Sequence, residues 1–220
     1  MPEQAAASDS KVMTDTPQII LASASPRRRE LLQQIGLHAR VQAVDIDESR
    51  YPDEPVLAFV QRLAKEKAQA GASLIKNETG ENEAGQNKAG LPVLGSDTVV
   101  ETDGVILGKP EDRHHARVML QMLSGTTHRV HTAVAVVCRD QVLIDTSSSE
   151  VRFKTLDDSE ITAYVETGEA DDKAGSYAIQ GIAAQFIENI DGSFSGVMGL
   201  PIFETVRLLK QCGIDPLHSR

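Results

Sequence analysis

The sequence is poor in aromatic residues and in cysteine, and it contains no long hydrophobic run. Aromatic residues make up 4% of the 220 residues and tryptophan is absent, so the core must be built mainly from aliphatic side chains. The two cysteines, Cys138 and Cys212, match no metal-binding or redox spacing, which favours a reducing compartment. No apolar stretch is long enough to span a membrane, and the N-terminus has neither the basic start nor the apolar stretch of a secretory signal.

Positive charge is also scarce, because 22 Lys and Arg residues stand against 32 Asp and Glu residues and give a formal net charge of −10. A general nucleic-acid-binding protein needs a broad basic face, so we expect no stable nucleic-acid binding. The Walker phosphate loop, GxGxxG, HExxH and GxSxG signatures are missing as well. An anion bound by this chain must therefore be held by a small local cluster of cations.

The chain divides by composition into one domain and two tails. We predict a flexible N-terminal tail at residues 1–17, a single domain at 18–214 and a C-terminal tail at 215–220. A polar, glycine-rich stretch near 77–90 without periodicity predicts a mobile surface insert. Hairpin patterns alternate with helical ones, which favours an α/β fold with a mixed sheet and helices on both faces.

The stretch "SASPRRRELL" begins a predicted helix, with Ser25 as the N-cap and Pro26 in the first helical position. Arg27, Arg28 and Arg29 fall in the first turn, where the helix dipole disfavours cations. One interpretation is a solvated basic turn. The other is an anion site, since backbone N–H groups and guanidinium groups together bind phosphate well.

A second helix is predicted from Pro55 to about Ala70, and Lys67 lies in the middle of its apolar face. It follows Val60 by two turns and Leu63 by one. The side chain either extends past the helix end to solvent or reaches a buried anion.

"VLGSDTVV" and "LGKP" are predicted to form a hairpin around Asp103-Gly104. We place Asp97 at the end of the first strand, where a carboxylate is costly to bury unless it is paired or binds a metal. A turn or capping role is the alternative. Lys109 ends the partner strand and is expected near Asp97.

"DDKAGSYAIQG" is either an ordinary surface loop or a ligand-binding loop. Its glycines allow a close approach of the backbone, and Gln180 offers the donor and acceptor that suit a nucleobase edge. Arginine, lysine, carboxylate and amide groups together suit a nucleoside triphosphate with a divalent metal.

These stretches, with "MLQMLSGTTHRVHTAV" and "GSFSGVMGLP", resemble in this order the Maf family of nucleotide pyrophosphatases from Ile19 to Gly213. The resemblance implies an elongated, twisted sheet with a central cleft, related to the inosine-triphosphate pyrophosphatase fold. It also implies hydrolysis between the α- and β-phosphates, a divalent cation (Mg or Mn), a cytoplasmic location and a possible homodimer.

The resemblance assigns roles to individual residues of this sequence. Asp97 resembles the proton acceptor, and Glu48 the acidic residue placed for metal or water, so both are expected as metal ligands. Lys67 and Lys109 resemble the phosphate-contacting lysines. The expected substrate-binding residues are Ser23, Arg27, Arg28, Thr98, Lys173 and Gln180, of which Arg27, Thr98 and Gln180 match specificity positions.

"SYAIQG" resembles the branch of the family that acts on dTTP and UTP, and modified pyrimidine triphosphates are further candidate substrates. Two other functions stay open. One is the sister branch that acts on 7-methyl-GTP. The other is a nucleotide-binding regulator of septum formation without turnover, in keeping with the family's link to cell division arrest.

Overall fold

A computed structural model of the protein describes residues 16–79, 90–139 and 141–218. The strands are β1 (Ile19–Leu21), β2 (Ala39–Val41), β3 (Val93–Thr102), β4 (Val105–Leu107), β5 (Thr127–Cys138), β6 (Gln141–Phe153) and β7 (Ile187–Asp191). The helices are α1 (Pro26–Gln34), α2 (Val56–Thr79), α3 (Arg113–Leu123), α4 (Asp158–Glu166), α5 (Phe194–Met198) and α6 (Ile202–Gln211).

In the described ranges the strands form one mixed sheet of seven strands. The order is β2-β1-β3-β5-β6-β7, and β4 pairs with β3 outside this path. β1 runs parallel to β2 and β3, and the remaining pairs are antiparallel. The mixed sheet predicted from the order of elements is confirmed.

Helices cover both faces of this sheet, as predicted. α2 packs on one face, where its apolar stripe, which includes Val60 and Leu63, contacts Val99 of β3. α1 and α6 pack on the opposite face around Leu94. α3 and α4 extend that second layer around Val100. Successive residues of β3 thus serve opposite layers, as the alternation of a strand requires.

The close approach of α2 to β3 depends on Gly95. A β-carbon at this position would lie 2.4 Å from the carbonyl oxygen of Ala64 and 2.5 Å from the amide nitrogen of Ala68. The helix backbone therefore occupies the space that a side chain would fill. This contact places Lys67 of the helix directly beside Asp97 of the strand.

The sheet has a gap along one edge of β3. β1 pairs with β3 at Ile20↔Val93 and Leu21↔Leu94, and β4 begins to pair at Val100↔Leu107. In the described part of the chain, no other strand pairs with this edge between Leu94 and Val100. The middle of β3 is therefore open to a ligand from the side, although it lies in the centre of the fold.

Two predictions about local structure were wrong. α2 continues to Thr79 instead of ending near Ala70, because Ala72 and Ile75 extend its apolar stripe onto Val93. Asp97 lies within β3 rather than at its end. The predicted N-cap position of Ser25 and the place of Pro26 at the start of α1 are confirmed. The Ser25 side chain makes no capping bond, and its backbone N–H donates to Ser23 Oγ at 3.2 Å.

The predicted tails and the insert near 77–90 stay predictions. Residues 1–15, 80–89 and 219–220 lie outside the described residues. Within the described ranges, no helix combines the length and apolar composition needed to cross a membrane.

The structure brings together the two cysteines that are distant in the sequence. Cys138 ends β5 and Cys212 follows α6, and both line a cavity of about 200 Å³. Burial and a hydrogen bond with Cys138 raise the pKa of the Cys212 thiol to about 12. The Cys212 thiol is therefore protonated at neutral pH and a poor nucleophile.

Candidate active site

A cleft of about 840 Å³ opens at the gap in the sheet and gathers every site residue predicted from the sequence. The predicted residues that line it are Ser23, Arg27, Arg28, Glu48, Lys67, Asp97, Thr98, Lys109, Lys173 and Gln180. They come from elements spread over most of the chain. These residues lie close together because the end of β1, the middle of β3, the start of α1 and the loop after β4 all border the gap in the sheet.

Lys67 joins two carboxylates at the floor of the cleft. Its Nζ lies 2.6 Å from Asp97 Oδ1 and 2.6 Å from Glu48 Oε1. Lys67 is 9% exposed and Asp97 is 8% exposed, whereas the Glu48 side chain is half exposed. Lys67 thus reaches a buried anion, the carboxylate of Asp97, and does not extend past the helix end to solvent, so the first of these two interpretations is confirmed.

The two carboxylates have opposite pKa shifts. Burial raises the pKa of Asp97 above its ordinary value, although the charges of Lys67 and Arg28 oppose this effect. Burial also acts on Glu48, but there the hydrogen bond and charge of Lys67, together with Lys109 and Arg28, lower the pKa. Asp97 is thus the more basic carboxylate of the pair, and Glu48 remains ionised more firmly.

The three arginines of α1 have different surroundings. Arg28 Nε donates to the carbonyl oxygen of Gly199 at 2.8 Å, and its Nη1 donates to Ser23 Oγ at 3.0 Å. Burial lowers the pKa of Arg28, and the negative charge of Asp97 partly offsets this effect. Arg27 lies at the cleft, whereas Arg29 is exposed and outside it. The interpretation of this stretch as a solvated basic turn is therefore wrong for Arg28.

Thr98 follows Asp97 in β3 and so faces the opposite side of the sheet. Its Oγ1 lies 3.0 Å from Thr132 Oγ1, and the Thr132 hydroxyl donates to the carbonyl oxygen of Gly196 at 2.7 Å. This chain of contacts joins β3, β5 and the start of α5. The stretch "GSFSGVMGLP" is therefore linked to Thr98, a predicted specificity position, through the carbonyl group of Gly196. The sequence pattern did not single out this backbone group.

Lys173 and Gln180 lie on the loop between α4 and β7. Lys173 is half-buried and pairs with Asp172, and Gln180 is exposed at the cleft. Tyr177 of the same loop is buried instead, with its hydroxyl 2.8 Å from His128 Nε2. The tyrosine therefore anchors the loop to the core.

Apolar residues of the cleft were missed by the sequence analysis. They include Phe59, Ile106, Val130, Val197 and Met198. No charge or spacing distinguishes them from core residues, so periodicity alone could not assign them to a site. A site with apolar walls and a few charged groups suits a ligand that has a ring and phosphates.

The carboxylates fit a metal that is shared with a ligand. Within the described ranges, no three His, Cys, Asp or Glu side chains are grouped to hold a metal ion. Glu48 and Asp97 do converge, since both contact the same lysine nitrogen. Mg²⁺ is usually bound by one or two carboxylates together with substrate phosphates and water. Two carboxylates beside an anion-binding cleft meet that requirement.

The fold and the site define an α/β protein with a cation-lined cleft that also holds the converging carboxylates Glu48 and Asp97. The chain belongs to the Maf-like protein family, whose model matches residues 18–212. A relative from Chromobacterium violaceum, named dTTP/UTP pyrophosphatase, is 47% identical over 92% of this chain and 98% of its own length. A relative from Alkalilimnicola ehrlichii with the same name is 51% identical over 90% of this chain and 95% of its own.

A solved structure, the Ham1 protein of Staphylococcus aureus, aligns with 61% of this chain and 71% of its own at 11% identity. The TM-score of this alignment is 0.37.

Proposed function

We propose that the protein is a nucleoside triphosphate pyrophosphatase that acts on dTTP and UTP. It hydrolyses the bond between the α- and β-phosphates and releases a nucleoside monophosphate and pyrophosphate. The names of the relatives support the substrate class. The observation that carries the proposal is the Glu48–Lys67–Asp97 cluster, which faces Arg28 in an open cleft. Modified pyrimidine triphosphates are candidate substrates of the same reaction.

Asp97 is the proposed proton acceptor for the attacking water. A general base works best when its pKa approaches the working pH, and burial shifts the pKa of Asp97 in that direction. Lys67 keeps this carboxylate ionised and oriented by a direct hydrogen bond. Glu48, with its lowered pKa, supplies a second fixed negative charge beside it.

The cations of the cleft are proposed to bind the phosphates. Arg28 is held rigidly by Gly199 and Ser23, so its guanidinium group is oriented before substrate arrives. Arg27, Lys109 and Lys173 lie around the same cleft and can neutralise the outer phosphates.

A divalent cation, Mg²⁺ or Mn²⁺, is proposed to bind at Glu48 and Asp97 together with phosphate oxygens. When bound, it would polarise the phosphoryl group and offset charge on the leaving pyrophosphate. The cytoplasmic location and the homodimer stay predictions of the family resemblance.

Product analysis over a panel of triphosphates tests this function. We expect dTTP and UTP to yield pyrophosphate in the presence of Mg²⁺ or Mn²⁺, and Asp97→Asn to lose turnover while retaining its circular dichroism spectrum. Release of orthophosphate would place the cleaved bond elsewhere. Preference for 7-methyl-GTP would overturn the specificity assigned to Gln180, and metal-independent binding without turnover would favour a regulatory role.

A further inference from the structure

The carboxylate of Glu169 is inserted into the backbone turn that follows Gln180. Its Oε2 accepts a hydrogen bond from the amide of Ile182 at 2.9 Å, and its Oε1 accepts one from the amide of Ala183 at 3.2 Å. Gly181 makes room for this insertion, because a β-carbon there would lie 2.1 Å from Glu169 Oε2. Any side chain at 181 would expel the carboxylate.

The hydroxyl of Tyr164 extends this contact to the other side of Gln180. It donates to Glu169 Oε1 at 2.9 Å and accepts a hydrogen bond from the amide of Ala178 at 3.3 Å. Tyr164 is fully buried in α4, next to Ile161 and Val165 of the core. Burial and the neighbouring Glu169 raise the pKa of Tyr164, so its hydroxyl keeps the proton that it donates.

Residues 178, 182 and 183 are thus tied to one carboxylate–phenol pair, with Tyr164 in α4 and Glu169 in the turn that follows this helix, whereas Gln180 between them is exposed at the cleft. A side chain that reads a base must be held within a few tenths of an ångström of its productive position. Neither Glu169 nor Tyr164 lines the cleft, so their contribution comes through the backbone that carries Gln180.

We propose that Glu169 and Tyr164 are positioning residues that set the base selectivity of the cleft by fixing the backbone on both sides of Gln180. The inference rests on the proposed function, because it assigns Gln180 to the base of a pyrimidine triphosphate. The proposed proton acceptor Asp97 and the phosphate-binding Arg28 lie on other elements, where Lys67 holds the first and Gly199 and Ser23 hold the second.

The test compares Tyr164→Phe and Glu169→Gln with the matched control Glu166→Gln, an exposed residue at the end of the same helix. Tyr164→Phe keeps the buried ring and removes only the hydroxyl, so this variant is expected to fold. We expect both test variants to raise KM for dTTP and UTP about 10-fold, which corresponds to the loss of one good hydrogen bond. Preference for dTTP over dCTP should fall by about the same factor, with kcat changed less than about 3-fold.

Hydrogen exchange separates this inference from the proposed function, because it needs no turnover. Faster exchange at Ile182 and Ala183 in Glu169→Gln, together with the KM effect, would support the positioning role. Wild-type KM and base preference in both variants would overturn it, even if their melting temperatures fall. Failure of the wild-type enzyme to hydrolyse dTTP and UTP would instead overturn the proposed function.

Discussion

Replacing Lys67 by methionine tests the electrostatic account of the cleft most directly. Methionine keeps an unbranched, flexible side chain against the apolar face of α2 but removes the ammonium group that contacts Asp97 and Glu48 at 2.6 Å each. The buried Asp97 then loses its nearest cation, and Glu48 remains as a neighbouring negative charge that raises the pKa of Asp97.

Removing one partner of a buried ion pair costs about 3–5 kcal/mol, because the other charge stays buried without compensation. The lower end applies here, since Arg28 still acts on Asp97 and Glu48 is half exposed. We therefore expect Lys67→Met to lower the free energy of unfolding by about 3 kcal/mol at pH 7.5. Because the variant raises the pKa of Asp97 further and removes the hydrogen bond that orients this carboxylate, kcat/KM should fall by about 100-fold or more.

The pH dependence identifies the cause of this loss. Burial already raises the folded-state pKa of Asp97 above its unfolded value, and removal of Lys67 raises it further. Between the unfolded-state and the folded-state pKa of Asp97, the folded protein binds more protons than the unfolded protein, so stability falls as pH rises. The deficit of Lys67→Met relative to wild type should therefore be small near pH 4.5 and grow towards neutral pH.

Urea unfolding at several pH values in a buffer with chelator measures this difference. Lys65→Met is the matched control, because Lys65 is exposed on the same helix, two residues away. A deficit of equal size at every pH would mean that Lys67 contributes by packing and not by charge. No deficit at neutral pH would refute the buried ion pair itself.

Arg28→Ala should lower kcat/KM by about 100-fold, whereas Arg29→Ala should change it less than about 2-fold. Equal effects of the two variants in steady-state assays would contradict the assignment of Arg28 to the cleft and of Arg29 to the solvent. Gly95→Ala should lower the free energy of unfolding by about 3 kcal/mol by forcing α2 away from β3, with Gly108→Ala as a control in open space. Burial lowers the pKa of His128 to about 4, so the unfolded state binds more protons than the folded state between about pH 6.5 and 4. The free energy of unfolding should therefore fall by about 3 kcal/mol as the pH is lowered through this range. A His128→Gln variant should lack this component in urea titrations.

The residues predicted from the sequence all line one cleft, and the helix that carries Lys67 was predicted as well. Lys67 could be found because a helical apolar stripe with a charge in its centre is a local pattern, readable from Val60 and Leu63. Its distance to Asp97 was not readable, since it depends on the absence of a side chain at Gly95 in another element.

The limits of local patterns explain the missing side-chain cap of α1 and the wrong end predicted for α2. Ser25 is the N-cap of α1, but its hydroxyl makes no capping bond, and the hydroxyl of Ser23 accepts hydrogen bonds from the Ser25 amide and the Arg28 guanidinium group. Arg28 in turn contacts Gly199, 171 residues away. The continuation of α2 beyond Ala70 depends in the same way on a contact with β3 that no helix propensity records. Tertiary contacts of this kind override capping and propensity rules.

The charges of the cleft explain how an acidic protein can bind a polyanion. The chain carries a formal net charge of −10, yet among the residues that the structure describes six cations and only three carboxylates line the cleft. A nucleoside triphosphate carries about four negative charges near neutral pH. Because three of the cations are balanced by Glu48, Asp97 and Asp172, the cleft alone supplies about one positive charge too few for that ligand. A divalent cation would supply the remainder, so the charge balance favours a triphosphate that binds together with its metal over the free triphosphate.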